Sequence, residues 1–454
     1  MSEAGSEASG RGLRPDVSLL GAVSIEVGLI VGAGLFSLTG VAAGIAGTAL
    51  PLSYFLAFTV VALSIVPTAV LGSAFPTTGG NYRYPSRLWS PRAAFVATWA
   101  LALSMFTGGL PLYALSFGEY VADLVAVEPV VVGFVVLTAF YLANLFGIRV
   151  ATGVQFLLFL TLVASLVLFV AGGLPAVDPG RFDPLLSNGV VGLATGAAIL
   201  YFVCLGANFI VDLGDEVAQA ATTIPRSFAV SIPLVMTLYV LTGLVAIGTV
   251  GWEAMAGETL SLPARAVLPE ALATVFIVGG ALFAIATTIN AVFMIAPKYL
   301  LVLAEDGFFP AAVARVNDRF GTPHWGLTAV YGLSVAALLS PLPLGQLGAL
   351  LGFGGILLVI PVMVAAIKFP KRHPEAYAAA SFSVGRRPLA AFAVGAIVCN
   401  VVLLGLLASQ ELLVFAGWAV GVVVGDAYYH LRKRYLAERG IDPVAQMEGL
   451  DAHG

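Results

Sequence analysis

The stretch Val27-Gly28-Leu29-Ile30-Val31-Gly32-Ala33-Gly34-Leu35-Phe36 places three glycines inside an apolar run long enough to cross a bilayer. A glycine in a helix interior costs about 1 kcal/mol relative to alanine, so helix formation alone selects against this pattern. Two chemistries explain it. In one, Gly28 and Gly32, four apart, let a neighbouring helix approach closely. In the other, the helix stops in mid-membrane. The freed N–H and C=O groups are then tolerated only where they line a cavity or bind something. The half-helix that resumes beyond the stop aims its positive N-terminal end at an anion such as a carboxylate. Nearby, Glu26 lies six residues before Gly32, about 9 Å along a helix axis. A carboxylate at that depth is a functional candidate by default. It reads either as a proton-titrating coupling group or as the partner of a basic residue such as Lys298.

The elements that position these residues follow from composition. The 454 residues are 59% hydrophobic and 10% charged, against about 25% charged in a soluble chain. Apolar runs recur throughout, which predicts an all-α polytopic membrane protein of twelve crossings. They fall near 17–39, 50–75, 93–124, 130–146, 152–172, 190–212, 228–250, 271–303, 325–339, 345–368, 388–408 and 412–430. Of the 21 lysines and arginines, only Arg181 and Arg265 fall in odd-numbered connections. The positive-inside bias therefore predicts that both termini are cytoplasmic, in the plasma membrane. Residues 1–16 read as a disordered cytoplasmic tail rather than a signal peptide, and 431–454 as a second short tail.

Other function classes find little support. A net charge of −4 does not suggest nucleic acid. Cys204 and Cys399 sit in apolar segments and offer neither a disulfide framework nor metal-site spacing. No histidine, cysteine or acid pair converges at membrane depth as an intramembrane enzyme requires, and the chain does not repeat a pore element as channels do. No cofactor is expected, and protein partners are not legible.

Several motifs together carry a resemblance. Gly32-Ala33-Gly34-Leu35-Phe36 is followed by Ala74-Phe75-Pro76-Thr77-Thr78-Gly79-Gly80-Asn81-Tyr82. Further on stand 144–149 (NLFGIR), Tyr201-Phe202-Val203-Cys204-Leu205-Gly206, Asp215-Glu216, Ile224-Pro225-Arg226, 304–310 (AEDGFFP) and 321–323 (GTP). In this order they resemble the amino acid–polyamine–organocation superfamily of secondary transporters, of amino acid permease type. The resemblance implies the leucine-transporter fold, with inverted repeats over 17–172 and 187–369, helices 1 and 6 broken at midplane, and two further helices over 387–430.

It also implies a site. The amides of Ala33 and Gly34, beside Gly32, would hold a substrate carboxylate. The carbonyls of Ile30, Phe202 and Leu205 would accept from its ammonium group, with Gly206 and Asn208 lining the pocket and Phe202 closing over it. Two departures stand out: Ala33 replaces a serine common in relatives, and Asn208 replaces a common acid. No Asp, Glu, Lys or Arg reaches midplane in these stretches, so the expected substrate is a neutral α-amino acid, small to medium and apolar. Many proton-linked relatives carry a lysine in helix 5, where this chain has Leu162 beside Thr161. Sodium-coupled relatives fill that gap with a cation held by carbonyls corresponding to Gly28, Val31 and Ala284 and by hydroxyls corresponding to Thr287 and Thr288. Five such oxygens suit a hard cation. The alternatives are back-bonding of both threonines to their own helix, proton symport through Glu26, ion-independent exchange, or a nontransporting sensor. The orientation has a direct check: with native cysteines removed, Asp178→Cys but not Asn81→Cys is expected to react with an impermeant maleimide on intact cells.

Overall fold

The computed structural model describes residues 17–145, 151–310, 315, 324–442 and 444, with the backbone alone described at 151–159, 202 and 298. The motif portions at 146–149 and 321–323 lie outside the described residues. Those described form helices and no β-strand; the only bridges are Val17 with Val217 and Thr78 with Leu213.

The first apolar run is divided. Helix α1 (Leu19–Ile30) stops, Val31 and Gly32 leave the helical path, and α2 (Ala33–Ala46) begins. Helix α3 (Leu50–Ala74) returns, α4 (Gly80–Leu88) is a short buried helix, and α5 (Pro91–Ser104) runs into α6 (Leu110–Ala122). Next come α7 (Pro129–Leu145), α8 (Ala151–Gly173) and α9 (Gly189–Cys204). The chain then tightens into a 3₁₀ segment, Leu205–Asp212, before α10 (Ala220–Val250). Three short helices, α11 (Trp252–Met255), α12 (Ser261–Val267) and α13 (Glu270–Val275), lead to α14 (Phe283–Glu305). The remainder is α15 (His324–Leu338), α16 (Leu344–Arg372), α17 (Pro374–Ala379), α18 (Arg386–Gln410) and α19 (Leu412–Ala437). Among the described residues, eight segments are long and apolar enough to cross a membrane, and 129–145 and 160–176 are shorter apolar helices.

Two wide π turns stand out. Met105–Gly109 joins α5 to α6 around Gly108-Gly109, and Phe276–Leu282 joins α13 to α14 around Gly279-Gly280. Each displaces a helix path without ending it, as π turns do.

The Pro76–Tyr82 motif has a mechanical explanation. Gly79 adopts φ 72°, the left-handed region that glycine tolerates best, and so turns the chain from α3 into α4. Asn81 then caps inward: its backbone N–H donates to Asp212 Oδ1 at 2.9 Å and its Nδ2 donates to Asp212 Oδ2 at 2.7 Å. Tyr299 of α14 donates to the same Asp212 at 2.6 Å. One turn further, Arg87 makes a two-pronged pair with Asp306 at 2.6 and 2.8 Å, and Tyr82 donates to Asp306 at 2.6 Å. Arg83 reaches Glu305 at 3.1 Å. Helix α4 is thereby fastened to the end of the 3₁₀ segment and to the end of α14. Asn81 is only 3% exposed, so a cysteine there is unreactive from either side, and exposed Lys371, in a connection expected to face inward, is the informative position.

Breaking a buried charge pair leaves one charge unbalanced, at about 3 kcal/mol. Arg87→Met is therefore expected to lower the unfolding temperature in detergent clearly, whereas Arg92→Met, whose pair with Asp426 is solvent-exposed, should barely move it.

Candidate functional site

The site grows from the interruption between α1 and α2. Ser18 caps α1, accepting from Gly21 N–H at 3.2 Å, and the last turn closes with Val31 N–H donating to the Val27 carbonyl at 2.6 Å. Gly32 then takes φ −87° and ψ −144°, which breaks the helical ladder. The first N–H groups of α2 consequently have no acceptor within their own helix. One is taken by α14: Ala33 N–H donates to Thr288 Oγ1 at 2.9 Å. On the other side of the break, the Ile30 carbonyl accepts from the Tyr239 hydroxyl of α10.

Glycine is required here by contact rather than by backbone angle. A methyl group on Gly32 would lie 1.4 Å from Thr288 Oγ1, and one on Gly34 would lie 1.9 Å from Val203 Cγ1. A methyl on Gly206 would lie 2.6 Å from the Leu29 carbonyl. The break is thus clasped between the α9 turn and α14.

Beside it is a cavity of about 20 Å³. Of the residues singled out in the sequence, Ile30, Gly34, Gly206 and Thr288 line it. Gly32 and Ala33 form the break behind it, and Leu205 is buried in the 3₁₀ turn without lining it. The Phe202 side chain lies outside the described residues. Asn208 is turned away, its Nδ2 donating to Ser64 Oγ of α3 at 3.3 Å and its backbone carbonyl accepting from Asn81. The walls that sequence reading missed are Leu29, Met105, Tyr113, Val203, Phe209, Val292 and Ile295. One signal was present: Val292 and Ile295 follow Thr288 at four- and seven-residue spacing, on one face of α14. Among the described residues, no Asp, Glu, Lys, Arg or His lines the cavity. A molecule of amino-acid size needs these walls to move apart.

The threonine pair sits behind the break. Thr287 and Thr288 donate to the Ala284 carbonyl at 2.8 and 3.1 Å. The Gly28 carbonyl lies 3.1 Å from the methyl position on Gly32 that Thr288 Oγ1 crowds, so oxygens of α1 and α14 share one corner. Val31 is the fully buried residue of the interruption. Leu162 of α8 is buried as well.

Glu26 is fully buried at the middle of α1. Ser227 donates to its Oε1 at 2.5 Å, and Ser231 donates to Oε2. Both serines belong to α10, four residues apart and hence on one face. That spacing was the missed signal. The Lys298 side chain lies outside the described residues, so the expected ion pair with Glu26 is not described.

The whole arrangement, an interrupted apolar helix beside a cavity that no charged side chain lines among the described residues, is that of a solute carrier. A family model described as amino acid permease matches residues 17–424. The chain is similar to a methylthioribose transporter of Bacillus subtilis, 26% identical over 92% of both chains. It is also similar to a branched-chain amino acid permease of the same organism, 24% identical over 79% of this chain and 81% of that one. A cationic amino acid transporter of Arabidopsis thaliana is 27% identical over 76% of this chain and 60% of its own length. The chain belongs to the amino acid permease family. It is a multi-pass membrane transporter and not an enzyme.

Because Gly34 lines the cavity and a side chain there would drive into Val203 of the same wall, Gly34→Leu is expected to weaken substrate binding at least about 100-fold. Equilibrium binding to purified protein that remains monodisperse checks this.

Proposed function

We propose that the protein is a secondary active transporter that carries a neutral amino acid across the plasma membrane by alternating access. The observation that carries the substrate class is the cavity wall: among the described residues no Asp, Glu, Lys, Arg or His lines it, so a charged substrate side chain would lie desolvated without a counter-ion. Gly34, with Gly32 and Ala33, is the reading for the carboxylate, and Ile30, Phe202, Leu205 and Gly206 for the ammonium group. Asn208 supports the 3₁₀ turn from behind rather than touching substrate.

The leucine-transporter fold with twelve crossings is part of this reading. Interruptions fall in the first and sixth apolar runs, and glycine-centred π turns in the third and eighth. Like features five segments apart support two related halves, 17–172 and 187–369, followed by a pair over 387–430. Both termini, 1–16 and 431–454, are read as cytoplasmic.

The coupling ion in this reading is sodium, carried as a co-substrate. The closeness of Gly28 O, Ala284 O and the Thr287 and Thr288 hydroxyls supports it, with Val31 O as the fifth ligand. Both hydroxyls donate to Ala284, and Thr288 Oγ1 also accepts from Ala33 N–H, which leaves one lone pair on Thr288 and those on Thr287 for a cation. Proton symport through Glu26 is the second reading, favoured by a buried carboxyl that meets two hydroxyls. Ion-independent exchange and a sensor role predict no gradient dependence and no net uptake, respectively.

Proteoliposome uptake separates these. Neutral amino acids should compete, arginine and glutamate should not, and an inward sodium gradient at fixed pH should raise the rate. Thr288→Ala should weaken the sodium dependence more than substrate recognition. Uptake that follows a proton gradient and disappears in Glu26→Gln would overturn sodium coupling. Competition by methylthioribose but by no amino acid would replace the substrate.

A further inference from the structure

Helix α18 has two faces. Leu389, Ala393, Ala396 and Leu403 are buried where it packs on α3, α9 and α16. On the other side Val394, Val398 and Val402, four apart and so in one row, stand about half exposed. In a chain that spans a membrane this apolar row meets lipid. Towards the start of the helix the row passes exposed Ala391 and reaches Arg387, two turns before Val394. Arg387 and its neighbour Arg386 are both exposed. Arg387 and Val398 are about 16 Å apart along the helix axis, close to the ~15 Å depth of hydrocarbon in one leaflet.

The charge at that end has one sign. Lys371, Arg372, Arg386 and Arg387 fall within 371–387, against the single acid Glu375. No acid stands in the first turn of α18. Arg372 donates to the Arg87 carbonyl at 3.2 Å, while Lys371, Arg386 and Arg387 pair with no acid among the described residues. The connection that carries these charges is seated on its neighbours. Phe382 N–H donates to Ser73 Oγ of α3 at 2.8 Å, and the Tyr377 hydroxyl donates to the Val384 carbonyl. The end of α19 is balanced differently, since Arg434 lies four residues before Glu438.

We propose that this face of α18 binds one anionic glycerophospholipid, its phosphate taken by Arg386 and Arg387 and an acyl chain laid along Val394 and Val398. Guanidinium groups suit the phosphate, to which each can donate two hydrogen bonds at once. A zwitterionic lipid brings its own cation beside the phosphate and fits the unpaired arginines less well. A free phosphate leaves the valine row unused.

Native mass spectrometry of the full-length protein, released from mild detergent in an equal mixture of phosphatidylcholine and phosphatidylglycerol, tests this. One phosphatidylglycerol should be retained in preference to phosphatidylcholine. Arg386→Gln combined with Arg387→Gln should weaken that retention by about fivefold per arginine. Lys433→Gln combined with Arg434→Gln, which removes as much charge from the end of α19, should leave it unchanged. All four positions are exposed, so both double variants should fold. Equal losses in the two would show a response to overall charge and overturn the site. So would phosphatidylcholine retained as well as phosphatidylglycerol, or inorganic phosphate bound without lipid and lost with the two α18 arginines. A lipid-free dimer that needs those arginines would give the face to a second copy of the chain and overturn it too.

Discussion

A backbone N–H or C=O released inside a bilayer has no water to bond with, and much of this molecule is arranged around the groups released between Ile30 and Ala33. Each freed group that the structure pairs is paired by a distant helix. Thr288 of α14 takes the Ala33 N–H, and Tyr239 of α10 takes the Ile30 carbonyl. Both partners are themselves held. Thr288 is anchored to the Ala284 carbonyl, and Tyr239 packs edge-on against Tyr54 and Phe58. The interruption is therefore stable without being sealed, since Gly34, whose N–H has no acceptor within α2, lines the cavity.

Close approach is the second requirement, and glycine meets it at both sides of the clasp. Gly32 admits Thr288, Gly34 admits Val203, and Gly206 admits the Leu29 backbone. The same segment that packs on the break ends at Asp212, which α4 and Tyr299 hold in place. The cavity and the α4 turn are consequently linked through eight residues, Leu205–Asp212. Movement at one end has to be accommodated at the other.

How much of this could be read from sequence depends on the range of the interaction. The helical membrane class follows from composition and run length, which are local properties. The weak point of the first helix is legible because glycine is costly in any helix, wherever its partners lie. The Gly79-Gly80 turn is legible for the same reason. Tyr239, Ser227 and Ser231 were not, because they meet α1 across some two hundred positions of chain and a tyrosine or serine in an apolar helix has many uses. Asn208 shows the limit most plainly: its residue type suits a pocket, but the 3₁₀ winding of its segment turns it to Ser64. A one-dimensional pattern fixes neither the winding nor the face it presents.

The central claim is that the first amides of α2 receive the substrate. Amide hydrogen exchange over residues 30–40 of the purified transporter, with and without a saturating neutral amino acid, tests it most directly. Binding should slow exchange at Gly34 and Leu35 while leaving Ala33, already bonded to Thr288, little changed. Unchanged exchange at Gly34 and Leu35 in protein that demonstrably binds substrate would contradict the account.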